Sequence, residues 1–175
     1  ISNAAGLRLS AAGEEVPTQF TALARWPDGS LRWVLMDFQS NFSAGETKTF
    51  LLQTGVAPAP VSGIAVSENA DSFTIDTGGE VFTITKSELR LRSHYFEVQS
   101  GGQTWRARPD AGSWVVEESG PVKTVLRVDG NWYSGPTLLR DSLISFRARL
   151  VFYRNHSDVR CYLTFRNNNS FGWQP

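Results

Sequence analysis

The sequence predicts an all-β protein, an antiparallel β-sandwich preceded by a small barrel-like β segment. Apolar residues recur at every second position along almost the whole chain, which is the period of a β-strand. Turn residues separate these runs, and the chain contains 15 Gly and 8 Pro. Helical spacing is nearly absent, and many short strands with regular turns are typical of a sandwich or barrel. The 175 residues, of which 41% are hydrophobic, can bury a sizeable core.

The first clear element is a hairpin in the stretch ARWPDGSLRWVLMDF, residues 24–38. Two alternating runs flank a Pro-Asp-Gly-Ser turn, which is a pattern that joins antiparallel strands. We expect the tryptophans to pack, so that Trp33→Ala removes buried indole surface and costs several kcal/mol. We also expect Arg25 or Arg32 to lie over an indole face and hold the turn.

A break in the pattern predicts the domain organisation. The stretch TGVAPAPVSG, ending at Gly63, has two prolines, two glycines and no charge, as a linker does. We therefore expect a barrel-like β segment over residues 1–55, a linker over 56–63 and a β-sandwich over 64–175.

The two final runs predict a long hairpin whose register is fixed by its apolar residues. The apolar sets meet only if Phe152 lies opposite Val159, because a slip of one residue would expose one set. This register places Arg149 opposite Tyr162. The two apolar sets, which we expect to be buried, are Phe146, Ala148, Leu150 and Phe152 in the first strand, and Val159, Cys161, Leu163 and Phe165 in the second.

The opposite face of this hairpin is a candidate binding site. This face carries several arginines, and like charges on neighbouring strands repel one another, so the arginines need a compensating negative charge. Solvent and acidic groups of a neighbouring strand would suffice. Alternatively, the face is the floor of a groove for acidic polysaccharide, because arginine binds carboxylates in a bidentate manner. The residues proposed for that groove are Arg147, Arg149, Arg160 and Tyr162, with Arg166 on the same face.

Two adjacent aromatic residues form a second candidate site for carbohydrate. Trp132 and Tyr133 lie in DGNWYSGP, a glycine-flanked stretch that resembles a loop. Tryptophan and tyrosine rings pair an apolar face with a polar group, as stacking on a sugar requires. The alternative is that these rings cover the end of the sandwich.

The composition excludes several other classes of function. Seventeen basic and seventeen acidic residues cancel, so the chain lacks the positive field expected of a nucleic-acid-binding protein. No apolar run is long enough to span a membrane, so no membrane partner is expected. We expect neither cofactor nor metal site, since no phosphate-binding loop or Cys/His cluster occurs, and the sequence identifies no catalytic residue. The single cysteine, Cys161, cannot form an intrachain disulfide.

The hairpin stretch VPTQFTALARWPDGSLRWVLMDF, followed by GETKTFLLQTG, resembles the N-terminal RIFT-type barrel of exo-rhamnogalacturonan lyase-like proteins. The Trp-Pro-Asp-Gly-Ser core followed by Arg-Trp is the most specific part. The stretches ESGPVKTVLRVDGNW and FRARLVFYRNHSDVRCYLTFRN are similar to the opening of the central β-sandwich in that family. The resemblance implies a polysaccharide context and an extracellular or periplasmic location.

The resemblance and the residues together predict a carbohydrate-associated β module of a polysaccharide lyase-like protein. We expect it to bind acidic, pectic polysaccharide and not to act as a catalyst alone. The alternatives are a structural or assembly β domain without a sugar site, or a small complete lyase. Because the chain begins inside what would be the barrel, we expect an unpaired sheet edge and self-association through it, or a downstream catalytic domain as partner.

Overall fold

A computed structural model describes residues 1–55, 63–139 and 144–168. These residues form antiparallel strands and contain no α-helix, so the prediction of an all-β fold is confirmed. Two compact units are present, one made of residues 1–64 with 120–123 and the other of residues 65–119 with 124–175. Apart from Gly63, the linker expected over residues 56–63 lies outside the described residues.

The first unit contains five strands in two small sheets. Strand β1 pairs with β2 on one side and with β5 on the other, and β3 pairs with β4 as a hairpin. Leu7 and Leu9 of β1 are buried, and the rings of Phe38 and Phe50 lie 4.9 Å apart. The strands are β1 (Leu7–Ala11), β2 (Glu14–Val16), β3 (Thr18–Arg25), β4 (Leu31–Phe38) and β5 (Phe50–Thr54).

The β3–β4 hairpin is formed as expected, but its tryptophans are not buried. Trp33 is 64% exposed and Trp26 is 50% exposed, so the expectation of a buried, structural Trp33 was wrong. Alternation along β4 places Trp33 and Leu35 on a face that the described residues of this unit leave open, whereas Val34 on the other face is half-buried. The expected cation–π contact is confirmed, since the Arg32 guanidinium lies 4.6 Å from the Trp26 ring centroid.

The second unit is built on a three-stranded sheet and a seven-stranded sheet. The first has the order β6-β7-β8; the second has the order β11-β12-β14-β16-β17, and β13 and β15 also pair with β14. Strands β9 and β10 form a separate small hairpin. The strands are β6 (Ala65–Glu68), β7 (Ser72–Asp76), β8 (Val81–Thr85), β9 (Arg90–Leu91), β10 (His94–Tyr95), β11 (Glu97–Ser100), β12 (Gln103–Pro109), β13 (Val115–Ser119), β14 (Lys123–Ser134, of which Lys123 is grouped with the first unit), β15 (Thr137–Leu138), β16 (Ile144–Tyr153) and β17 (Val159–Asn167).

These two sheets pack face to face, as in a β-sandwich. The rings of Phe82 in β8 and Phe152 in β16 lie 5.3 Å apart, and Phe152 is fully buried. The Trp114 ring lies 5.9 Å from that of Phe73, and its Nε1 donates to the carbonyl oxygen of Lys86 at 3.0 Å. Alternating apolar residues of both sheets therefore form one core, which leaves the opposite face of the large sheet to polar residues.

The final hairpin has the register that the sequence predicts. Phe152 lies opposite Val159, and Arg149 lies opposite Tyr162. The apolar face of β16 is buried as expected, but that of β17 is only partly buried, and Phe165 is 54% exposed. The reason is that β17 pairs with β16 alone among the described residues, so β17 is an edge strand with less material over it.

Gly130 lies in the middle of β14, not in a loop. A Cβ at this position would come within 2.3 Å of the Arg108 carbonyl oxygen and 2.6 Å of Phe146 Cζ. Close packing therefore requires glycine at position 130. In the sequence alone, the Asp-Gly pair indicates a turn. The consequence is that Asp129 and Trp132 belong to one continuous strand and point to opposite faces of the sheet.

Candidate functional site

The outer face of the large sheet carries a cluster of charged residues that we call the arginine face. Alternation with the buried residues Leu126 and Val128 turns Arg127 and Asp129 of β14 outward. The same alternation in β16 turns its two arginines outward. The arginine face consists of Arg127, Arg147, Arg149, Arg160 and Arg166, together with Glu117 and Asp129.

Asp129 is the centre of this face. Arg147 donates from Nε to Oδ1 at 2.8 Å and from Nη2 to Oδ2 at 3.2 Å, a bidentate pair. Arg127 Nη1 lies 2.6 Å from Oδ2, and Arg166 Nη2 lies 3.1 Å from Oδ1. Burial pushes the pKa of Asp129 upward, but the hydrogen bond and charge of Arg147, with the charges of the other two arginines, outweigh burial and lower this pKa.

Glu117 of β13 is the second carboxylate of the face. Arg149 donates to it from Nε at 2.5 Å and from Nη2 at 2.9 Å, and Arg127 Nε lies 3.4 Å from Oε1. The hydrogen bond from Arg149 lowers the pKa of Glu117 against a smaller opposing effect of burial. Other strands of the sheet thus supply acidic groups to three of the arginines of the hairpin, Arg147, Arg149 and Arg166, as one of the two sequence interpretations expects.

Arg160 differs from the other arginines of the face because its contacts are aromatic. Its Nη1 lies 3.4 Å from the Tyr162 hydroxyl, and its guanidinium lies 5.7 Å from the centroid of the Tyr153 ring. Tyr162 is 54% exposed. The five guanidinium groups of the arginine face exceed its two carboxylates by three, and the negative charge of Asp158 near Arg160 offsets part of this excess. Arg160 and Tyr162 are both exposed.

The structure separates the two aromatic residues that the sequence pairs. Trp132 is 1% exposed, and its ring lies 5.4 Å from Phe146 and 5.6 Å from Phe165. Strand alternation turns Trp132 into the core, and this burial favours the alternative interpretation that the ring covers part of the sandwich. Tyr133 points to the opposite face, half-buried, with the Arg108 guanidinium 4.7 Å from its ring centroid.

A groove of about 540 Å³ lies elsewhere in the second unit. Its lining includes Phe82, Arg92, His94 and Asp158. Arg92 is bonded to Glu80 and to the Ser157 carbonyl oxygen, so it holds the groove walls together. The described residues contain no group of three His, Cys, Asp or Glu side chains that could hold a metal ion. Within them, no helix is long and apolar enough to cross a membrane.

The comparison with protein families concerns the first unit. Residues 2–50 match the family model of the PcRGLX-like N-terminal RIFT barrel domain. The predicted resemblance to rhamnogalacturonan lyase-like proteins is therefore confirmed for the N-terminal segment. The matched RIFT barrel segment contains strands β1 to β4 and the hairpin with the Trp-Pro-Asp-Gly-Ser turn.

A curated relative extends the similarity beyond the RIFT barrel segment. The chain is 26% identical over 179 residues to "Uncharacterized protein YetA" of Bacillus subtilis (strain 168). This match covers 88% of the chain and 20% of the relative. The chain thus spans about a fifth of the length of the curated relative that it matches.

Sequence reasoning missed the two carboxylates of the arginine face. Asp129 resembles a turn residue because it precedes Gly130, and Glu117 is one of two adjacent glutamates that point to opposite faces of a strand. The signal that could have identified Asp129 is the alternation of β14, in which Arg127 and Asp129 share one face between buried residues. No sequence signal shows that β13 brings Glu117 beside Arg149, because that contact joins residues 32 positions apart.

Proposed function

We propose that this chain is a carbohydrate-associated β module of a polysaccharide lyase-like protein and that its arginine face binds acidic polysaccharide. The match of residues 2–50 to the RIFT barrel domain supports the carbohydrate context. The observation that carries the binding proposal is the excess of positive over negative charge on the arginine face. We propose an extracellular or periplasmic location, where such polymers occur, and no catalysis by this chain alone.

The chemistry of the face fits a polymer with one carboxylate per acidic sugar. Arg147 and Arg149 already form bidentate pairs with Asp129 and Glu117. They therefore contribute to the positive electrostatic field of the face more than to direct contacts with the polysaccharide. Arg160 is free to exchange its aromatic contacts for a uronate carboxylate, and the adjacent exposed Tyr162 offers a ring face and a hydroxyl to the same sugar. We therefore assign direct binding to Arg160 and Tyr162.

The test is affinity electrophoresis of the folded chain through polygalacturonate at low and high salt. We expect retardation that weakens as salt rises, because the interaction is between charges at the surface. Arg160→Ala should abolish most of it, and Arg149→Ala should reduce it. Arg32→Ala is the matched control, since it removes an exposed arginine with an aromatic contact from the first unit. Equal losses in Arg160→Ala and Arg32→Ala would show that net charge alone causes retardation, and the assignment would fail.

A structural or assembly role is the second candidate, and one observation favours it. Leu23, Trp33 and Leu35 form an exposed apolar face on the β3–β4 hairpin, and such faces commonly contact other proteins. Binding across an array of acidic and neutral polysaccharides separates the two candidates, since an assembly domain would bind none. A rise in ultraviolet absorbance on pectic substrate, from a conjugated uronate product, would instead show that the chain is a lyase.

A further inference from the structure

Strand β17 is a long strand at the edge of the large sheet, and within the described part of the chain no strand pairs with its free edge. It has nine residues, pairs with β16 alone among the described residues, and contains no proline, and its pairing with β16 has no break in register. Its side chains alternate between the polar Arg160, Tyr162 and Thr164 and the apolar Cys161 and Leu163. An edge strand is a template for another strand, because the side that faces away from its sheet pairs with no strand of that sheet.

The charge pattern of β17 distinguishes the registers in which a second copy could pair with it. When two identical strands pair antiparallel, a two-fold axis relates them. Polar residues then lie opposite polar residues only if this axis passes between a residue and the same residue of the second copy. An axis through Leu163 would place Arg160 opposite Arg166, which is repulsive. An axis through Cys161 would place Asp158 opposite Thr164 and leave the charges unmatched.

An axis through Tyr162 gives complementary pairs on both faces. Asp158 then lies opposite Arg166 of the second copy, twice by symmetry, and the two tyrosines lie opposite each other. On the inner face Val159 covers Phe165, which is 54% exposed in the single chain. Asp158 directly precedes β17, and its side chain is 81% exposed. It contacts His156 Nδ1 at 3.2 Å, and in the paired copies it would exchange this exposed contact for Arg166 of the second copy.

We propose that two copies of this chain pair antiparallel through β17, with Tyr162 opposite Tyr162 of the second copy. The pairing extends the seven-stranded sheet across the two-fold axis and adds backbone hydrogen bonds on the side of β17 that pairs with no other described strand. It also brings a further carboxylate, Asp158, to the positively charged arginine face of each copy. The proposal is independent of polysaccharide binding, because it follows from the open edge and its charge pattern.

The first experiment measures molar mass by size-exclusion chromatography with light scattering over a range of protein concentrations. We expect a mass that rises toward twice that of the chain. Asp158→Lys, which places like charges opposite each other, should return the mass to that of one chain. Asp71→Lys is the matched control, because it makes the same charge change at an exposed turn outside β17. A monomer at every concentration, or equal effects of the two variants, would overturn the proposal.

The second experiment tests the register by oxidation. In a Cys161→Ser background, Tyr162→Cys should form a disulfide-linked dimer, since directly opposed Cβ atoms lie within reach of a disulfide. Thr164→Cys in the same background should not form this disulfide. The register places position 164 opposite position 160 of the second copy, four residues from the second cysteine. Rapid cross-linking of the natural Cys161 would indicate the axis through Cys161 and would contradict the register proposed.

Discussion

Asp129 and Arg147 form a bidentate ion pair on the outer face of the large sheet, with N–O distances of 2.8 and 3.2 Å. Arg127 and Arg166 contact the same carboxylate. One aspartate thus offsets three guanidinium groups that alternation along strands β14, β16 and β17 brings together. The ion pair stabilises the sheet. The surface nevertheless stays positive, because one carboxylate cannot neutralise three guanidinium groups.

Asp129→Asn should separate the stability of the face from its binding. We expect the free energy of unfolding to fall by about 1–2 kcal/mol, because charged hydrogen bonds are lost at a partly exposed site. Retardation by polygalacturonate should increase, because the face gains one net positive charge. Urea denaturation and affinity electrophoresis measure the two effects. Asp71→Asn is the control, and weaker retardation in Asp129→Asn would contradict the proposed role of the face.

The stability of the second unit should depend on pH through Glu117 and Asp129. Both carboxyl groups have a folded-state pKa below their ordinary values of 4.5 and 3.8. Their contribution is therefore fully present above those values and is lost as the pH falls through the lower pKa values of the folded state. Urea midpoints at a series of pH values from neutral to acid should show a decline that begins near the ordinary values. A double variant, Glu117→Gln with Asp129→Asn, should show a shallower decline; an unchanged profile would mean that other groups cause it.

Trp33→Ala and Trp132→Ala should differ strongly in their effects on stability. Trp132 is 1% exposed, and its loss should cost about 3–5 kcal/mol, as for other buried aromatic residues. Trp33 is 64% exposed, and its loss should change the free energy of unfolding by less than about 1 kcal/mol. Denaturation of each variant, followed by circular dichroism, measures both. A cost of several kcal/mol for Trp33→Ala would mean that this face is covered in solution.

Gly130→Ala should destabilise the second unit, although glycine usually weakens the interior of a strand. The added Cβ would meet the Arg108 carbonyl oxygen at 2.3 Å and Phe146 Cζ at 2.6 Å, so backbone and core must shift. We expect a cost of about 1–3 kcal/mol, which is usual for overpacking. Gly6→Ala is the control, because a Cβ there has no neighbour within 4 Å. Thermal unfolding that is equal for the two variants would contradict the close packing at Gly130.

The sequence by itself determined the fold class, the β3–β4 hairpin and the register of the final hairpin. These features depend on local properties: the period of two, turn residues, and the rule that a one-residue slip moves every side chain to the other face. The match of Phe152 with Val159 follows from that rule alone, as does the grouping of arginines on one face of the hairpin.

Only the tertiary structure decided which faces are covered and which charges are paired. Trp33 and Trp132 both look like core residues or binding residues in the sequence, but one is exposed and the other is buried. Glu117 reaches Arg149 because β13 and β16 both lie beside β14, a contact between residues far apart in the chain. Local pattern cannot specify such contacts, since burial and ion pairing depend on which strands become neighbours, and that depends on the packing of the whole sheet.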